Sequence, residues 1–431
     1  MDRFNAVMER YFMPVAEVIA EQRHLKAIRD GIITTMPLLI IGSVFLIIAF
    51  PPIESWAAFM EPYVPTLTIP VDATFGIMGL VAAFSIAYNL GKSYEMDPLS
   101  SGVLSVAAFL IATPHSEEGN IPLNLMGSEG LFVAILIALF TVEVFRLMEK
   151  RDFVIRMPAG VPPSVWRAFT ALIPGFVIVC MVWGVSLLLQ TWFSLSLHEV
   201  VGAILREPLQ AMGSSIWAAL LAIFLIQLLW SAGIHGISVV ASVMAPIWYS
   251  LADENQAAKV AGEELPNIVG QQFMAIWIAV GGSGMILALT ILFVLRARSR
   301  HLKSLGKMTI WSSFFNISEP VIFGAPIVMN PMMIVPFILA PMAVGAFTYI
   351  VMALDLVGRP YAVVPWTTPA PFSGWLTTGD WRGAVLMIAN ILLAMAIYYP
   401  FFRAWDRTLA EEEAVDEGTV EGEAAGLSVK M

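Results

Sequence analysis

The chain has 431 residues, of which 58% are hydrophobic and only 13% charged, with a mean hydropathy of +0.79. That composition excludes an ordinary soluble enzyme and marks an integral membrane protein. A formal net charge of −10 excludes a nucleic-acid role, and a single cysteine, Cys180, excludes an internal disulfide and a cysteine-based metal site. No metal or other cofactor is expected.

The first 30 residues carry charge throughout and lack an apolar core followed by a small-residue cleavage site, so they read as a cytoplasmic amphipathic surface helix rather than a signal peptide. Crossing a bilayer takes about 17 to 25 apolar residues. Candidate spans run at 31–50, 73–91, 99–113, 130–147, 166–195, 216–235, 270–295, 332–356 and 384–402, with 310–331 as a re-entrant hairpin. The expected architecture is an all-α polytopic membrane protein of about ten spans. Cys180, inside an apolar run, reads as an inert packed thiol.

Lys and Arg accumulate on cytoplasmic loops. The N-terminal segment carries Arg3, Arg10, Arg23, Lys26 and Arg29, and basic clusters recur at 146–167, 296–307 and 403–407. The loops at 51–72 and 114–130 contain acids but no Lys or Arg, and so should face outward. Both termini then lie in the cytoplasm. The segment 409–431 is expected to be a disordered acidic tail, because seven acids among small residues at 411–423 cannot bury a core.

Polar interruptions at 196–215 divide the chain into an N-terminal membrane part, 31–215, and a C-terminal part, 216–408. Only the second part has spans broken by Gly, Pro and polar clusters, at 231–238, 281–284, 316–331 and 365–383. Broken backbone at membrane depth is tolerated where it is buried in protein or lines a cavity, and such breaks build binding sites in transporters.

The run F-F-N-I-S-E-P-V-I-F-G from Phe314 puts Glu319 in an otherwise apolar setting, just before Pro320. An ionisable residue at membrane depth marks a functional site, and the proline predicts a helix start at this point. His235 lies between Gly233 and Gly236 in W-S-A-G-I-H-G. It reads either as a helix-end histidine bonded to a backbone carbonyl or, with Glu319, as a pair able to bind and activate a hydroxyl. Trp366, bracketed by Pro365 and a Thr367-Thr368-Pro369 turn, suits a pocket wall against a sugar's C–H face. Trp375 and Trp381 read as interfacial anchors, and Asp380 and Arg382 as a mutual pair.

The strings G-I-H-G at 233–236, E-P-V-I-F-G at 319–324, P-I-V-M-N-P at 326–331, P-W-T-T-P at 365–369 and T-G-D-W-R-G at 378–383, together with F-S-I-A-Y-N-L-G-K-S-Y at 84–94 and D-P-L-S-S-G at 97–102, span nearly the whole chain. In these motifs it resembles the enzyme IIC membrane component of the bacterial phosphotransferase system, lactose/cellobiose/diacetylchitobiose family. The resemblance implies a homodimeric elevator-type carrier in the inner membrane. Its N-terminal half would form the dimer contact, and its C-terminal half, with two re-entrant hairpins, would carry the sugar. It also implies that His235 and Glu319 bind the substrate near its 6-hydroxyl, that Asn89 and Trp366 contact the sugar, and that phosphate arrives from a phosphocysteine on a separate enzyme IIB, with enzyme IIA upstream.

Glu319 is then the candidate general base for the attacking hydroxyl, and His235 the group that orients it and stabilises developing charge. A gradient-driven sugar transporter with Glu319 as its proton carrier is the competing reading. The chain departs from the family pattern in two places. Ile237 and Ser238 follow G-I-H-G where two asparagines are frequent, and Asn316-Ile317-Ser318 stands where an acid-amide pair is frequent.

Overall fold

The computed structural model describes residues 18, 22–51, 54–116, 119–158, 161–325, 327, 328 and 330–428. Pro326, Met329 and most of the first 21 residues, all part of sequence expectations, lie outside the described residues. Every regular element described is helical. In chain order they are α1 (Arg23–Ile33), α2 (Met36–Ala49), α3 (Glu54–Met60), α4 (Val64–Asp72), α5 (Met78–Ser93), α6 (Pro98–Ala112), α7 (Leu131–Lys150), α8 (Pro163–Thr170), α9 (Leu172–Phe193), α10 (Leu197–Val201), α11 (Glu207–Gly213), α12 (Ile216–Ser231), α13 (Gly236–Ala261), α14 (Ile286–Arg296), α15 (Arg300–Phe314), α16 (Glu319–Gly324), α17 (Pro331–Ala353), α18 (Phe372–Thr378) and α19 (Trp381–Ser428).

Helix starts follow local chemistry. Asp97 caps α6 by accepting from the Ser100 amide at 3.0 Å, with Pro98 in the first turn. Ser215 caps α12 and Ser299 caps α15 in the same way. A side-chain oxygen at this position satisfies an amide that has no partner inside the helix.

Among the described residues, six helical stretches are long and apolar enough to cross a membrane: Arg23–Ala49, Ser128–Lys150, Val165–Phe193, Gly236–Ala261, Met332–Ala353 and Trp381–Val415. A seventh span forms if α10–α11 and α12, bent by 74° at their junction, are taken as one. Pro98–Ala112 and Ser283–Arg296 are shorter apolar helices.

Several expectations change. From Arg23 onward the N-terminal segment runs into the first stretch long and apolar enough to cross a membrane, and α1 buries Ala27, Ile28 and Ile32. Gly31 permits this, because a Cβ there would lie 2.7 Å from the Ile86 backbone. Expected span 270–295 is broken into a π-turn at Phe273–Trp277, a glycine-rich bend and α14. Helix α13, absent from the expected spans, is long and mostly buried. Its Asp253, Glu254, Asn255 and Gln256 dilute its hydropathy but are buried or paired within the protein, as where Asp253 accepts from the Ser128 amide at 3.0 Å.

Cys180 is exposed rather than packed, because α9 buries only Pro174, Gly175, Ile178 and Val182 and turns its remaining apolar surface outward. The acidic segment from 409 continues α19 as helix through Ser428. Glu413 anchors it by accepting from Ser299 Oγ at 2.6 Å and from the Arg300 and His301 amides at the start of α15, and Arg407 pairs with Glu411.

Two large apolar cores form among the described residues. One gathers α1, α2, α5, α6, α7 and α9; the other gathers α12, α14, α17 and α19. They meet along α13, which gives Val239, Val240 and Trp248 to the second core and Ala245, Ile247, Tyr249 and Leu251 to the first. The extended segment 361–363 also joins the first core, where Val363 N donates to Ser43 Oγ at 2.8 Å.

Candidate functional site

The C-terminal breaks converge. Asn316, in the left-handed region at φ 64° and 7% exposed, holds three of them together. Its Oδ1 accepts from Gly281 N at 2.7 Å, and its Nδ2 donates to Trp366 O at 2.6 Å and Thr368 O at 3.2 Å. The bend at Gly282 packs directly on the start of α16, since a Cβ at Gly282 would stand 2.5 Å from Ser318 Cβ. The chain break therefore falls at Asn316–Ser318. Glu319 and Pro320 form the first turn of α16, so the carboxylate is carried on a helix N-terminus.

On the other side, Gly233 turns the chain at φ 82° and His235 precedes α13 at φ −68°, ψ 84°. Gly236 brings α13 close to α12, because a Cβ there would stand 2.1 Å from Ile226 O. The imidazole rests against Trp230, ring centroids 4.6 Å apart and planes inclined by 50°. Its Nδ1 lies 2.8 Å from Ser238 Oγ.

His235, Glu319 and Trp366 all line one cavity of about 490 Å³. Glu319 is half-buried in the wall and, among the described residues, its carboxylate has no hydrogen-bond or ion-pair partner. Trp366 is 48% exposed and lines the cavity. Asn89 does not join them: it lies on α5, where Nδ2 donates to Ser85 O at 2.8 Å, and it is not among the residues lining the cavity. Asp380 and Arg382 pair with each other at 2.8 Å, away from the cavity.

Sequence reading missed part of the wall. Trp230 and Trp248 are almost fully buried behind it, and α1 closes the N-terminal side with Arg29 and Asp30, an ion pair at 2.8 Å. Arg29 had been legible only as a topology charge; its position beside an acid at the start of a span is the one signal that could have set it apart. Asn316 was visible only as a departure from a pattern. An asparagine in a break is the residue type that tolerates left-handed backbone and can clamp loops with its amide.

A cavity of this size falls within the roughly 300 to 1,000 Å³ typical of small-molecule sites. Aromatic faces with a free carboxylate and an oriented imidazole suit a polyhydroxylated solute, and the broken apolar helices around them define a membrane carrier. The family model described as "Phosphotransferase system, EIIC" matches residues 29–341. The chain is 49% identical to the lichenan permease IIC component of Bacillus subtilis (strain 168), covering 96% of each. It is 48% identical to the cellobiose-specific EIIC component of Geobacillus stearothermophilus over the full length of both. Among solved structures it resembles ChbC, the IIC component of the N,N'-diacetylchitobiose-specific phosphotransferase system, with a TM-score of 0.90 and 47% identity over 94% of this chain and 99% of that one. The chain belongs to the phosphotransferase-system EIIC family and is a membrane-embedded sugar permease component.

Proposed function

We propose that this permease carries a β-linked disaccharide of the cellobiose or diacetylchitobiose type across the bacterial cytoplasmic membrane and that the sugar is phosphorylated on its 6-hydroxyl by a phospho-enzyme IIB. The observation that carries this reading is the convergence of His235, Glu319 and Trp366, from three separate chain breaks, on one cavity. The names of the relatives supply the sugar class.

In-line attack on a phosphocysteine breaks the S–P bond, forms an O–P bond and releases the hydroxyl proton. Glu319 accepts that proton, its carboxylate being free to do so, while His235 orients the oxygen and Trp366 stacks on the sugar ring. The protein works as a homodimer of about ten spans per chain. Both termini are cytoplasmic, the dimer contact lies in the N-terminal half, and the C-terminal half moves as an elevator. The two separate cores support a division into frame and carrier, with α13 as the sliding contact. Asn89 reaches the sugar in this scheme only after such a movement, because in this arrangement it lies off the cavity.

Uptake of labelled cellobiose and diacetylchitobiose into membrane vesicles, with and without phospho-enzyme IIB, tests the reading. Internal sugar phosphate formed only with the donor is the expected result. Free sugar accumulating under a proton gradient would instead make the chain a gradient-driven transporter.

A further inference from the structure

We infer that Ser238 is the positioning residue for His235, and that Arg29 seats Ser238 from the N-terminal half. The inference rests on the reading of His235 as a sugar ligand. It begins from one of the two places where the sequence leaves its family pattern, Ile237-Ser238 after G-I-H-G.

A histidine side chain has two soft torsions, and Trp230, its ring tilted at 50° with centroids 4.6 Å apart, restrains one side of the imidazole. Rotation of the ring is restrained by the contact of Nδ1 with Ser238 Oγ at 2.8 Å. On this inference the hydroxyl donates to Nδ1, and the ring proton sits on Nε2, where it presents a donor to a sugar oxygen. Which nitrogen of a neutral imidazole is protonated is set by the partner of the other.

Ser238 is itself held at its carbonyl, which accepts from Ser242 Oγ at 2.7 Å and from Arg29 Nη1 at 3.3 Å. Arg29 belongs to α1 in the first core, and Asp30 fixes its guanidinium through Nε at 2.9 Å. The imidazole is therefore oriented by a chain of contacts that crosses from one core to the other. Separation of the halves at this point removes the Arg29 contact from the Ser238 carbonyl and leaves that of Ser242 Oγ.

The test uses the full-length protein in nanodiscs, labelled with ¹⁵N-histidine and titrated with cellobiose, with His235→Gln assigning the resonance. Wild type is expected to show a proton on Nε2 and a hydrogen-bonded Nδ1. In Ser238→Ala the Nδ1 resonance moves to that of an unbonded acceptor, and cellobiose affinity falls about five- to tenfold, the loss of one hydrogen bond's worth of orientation. Ser238→Thr keeps both properties, whereas Ser238→Val, of the same shape without the hydroxyl, loses both. Arg29→Ala shifts the same resonance part of the way.

A wild-type proton on Nδ1 overturns the inference. So does an affinity loss in Ser238→Ala with an unmoved resonance, which would place Ser238 on the sugar itself, and so does a moved resonance with unchanged affinity. Unchanged affinity in His235→Ala is a separate failure, of the underlying reading, and leaves the resonance to report the Ser238 contact alone.

Discussion

The two cores use the same residue types for opposite ends. In the N-terminal half, glycines let helices pack closely on their neighbours: a Cβ at Gly31 would overlap the Ile86 backbone of α5, and one at Gly79 would stand 2.6 Å from Gly127 O in the turn before α7. In the C-terminal half, left-handed residues such as Gly282 and Asn316 interrupt helices, and the freed polar groups are taken up by side chains. The first arrangement packs helices closely and lends the cavity one flank, Arg29, Asp30, Ile33 and Met36. The second exposes a carboxylate, an imidazole and an indole to one cavity. Chemistry at membrane depth thus follows from where the backbone is broken, because only there can polar groups leave a helix without facing lipid.

Substitutions can break or sharpen that contrast. The largest effect is expected for Glu319→Gln: sugar-phosphate formation with phospho-enzyme IIB falls by about 10²- to 10⁴-fold, the usual cost of losing a general base, while equilibrium sugar binding is largely kept. Wild-type rates in the mutant would remove Glu319 from that role. Asn316→Ala strips partners from three chain breaks at once, and thermal unfolding in detergent should show a loss of about 2 to 4 kcal/mol, together with loss of binding.

Gly79→Ala is the counterpart in the other core. It overpacks the contact of α5 with the turn before α7 and should cost about 1 to 3 kcal/mol in the same unfolding assay, yet leave sugar affinity in the folded fraction unchanged. A drop in affinity there would mean that the two cores are not separate in function. His235→Ala is expected to weaken sugar binding about tenfold, the loss of a hydrogen bond and an aromatic neighbour, with little effect on stability, which calorimetric titration would show.

Much of this site is written in the sequence. His235, Glu319 and Trp366 stand out as polar or aromatic residues at Gly/Pro-marked breaks in apolar runs, and the structure brings all three to one wall. The helical class and the membrane setting follow from composition and from the length of apolar runs, since a bilayer admits few backbone solutions. Helix α13 escaped notice because hydropathy averages along a chain and cannot see that Asp253 and Glu254 have partners inside the protein.

Arg29 and Asn316 acquire their importance only through residues 209 and 50 positions away. The sequence by itself determined that this is a helical membrane carrier and where its chain must break, because those depend on local steric and transfer energies. Tertiary structure alone decided which breaks meet and which charge becomes a wall of the cavity, because those depend on contacts between segments whose separation along the chain carries no information about their distance in space.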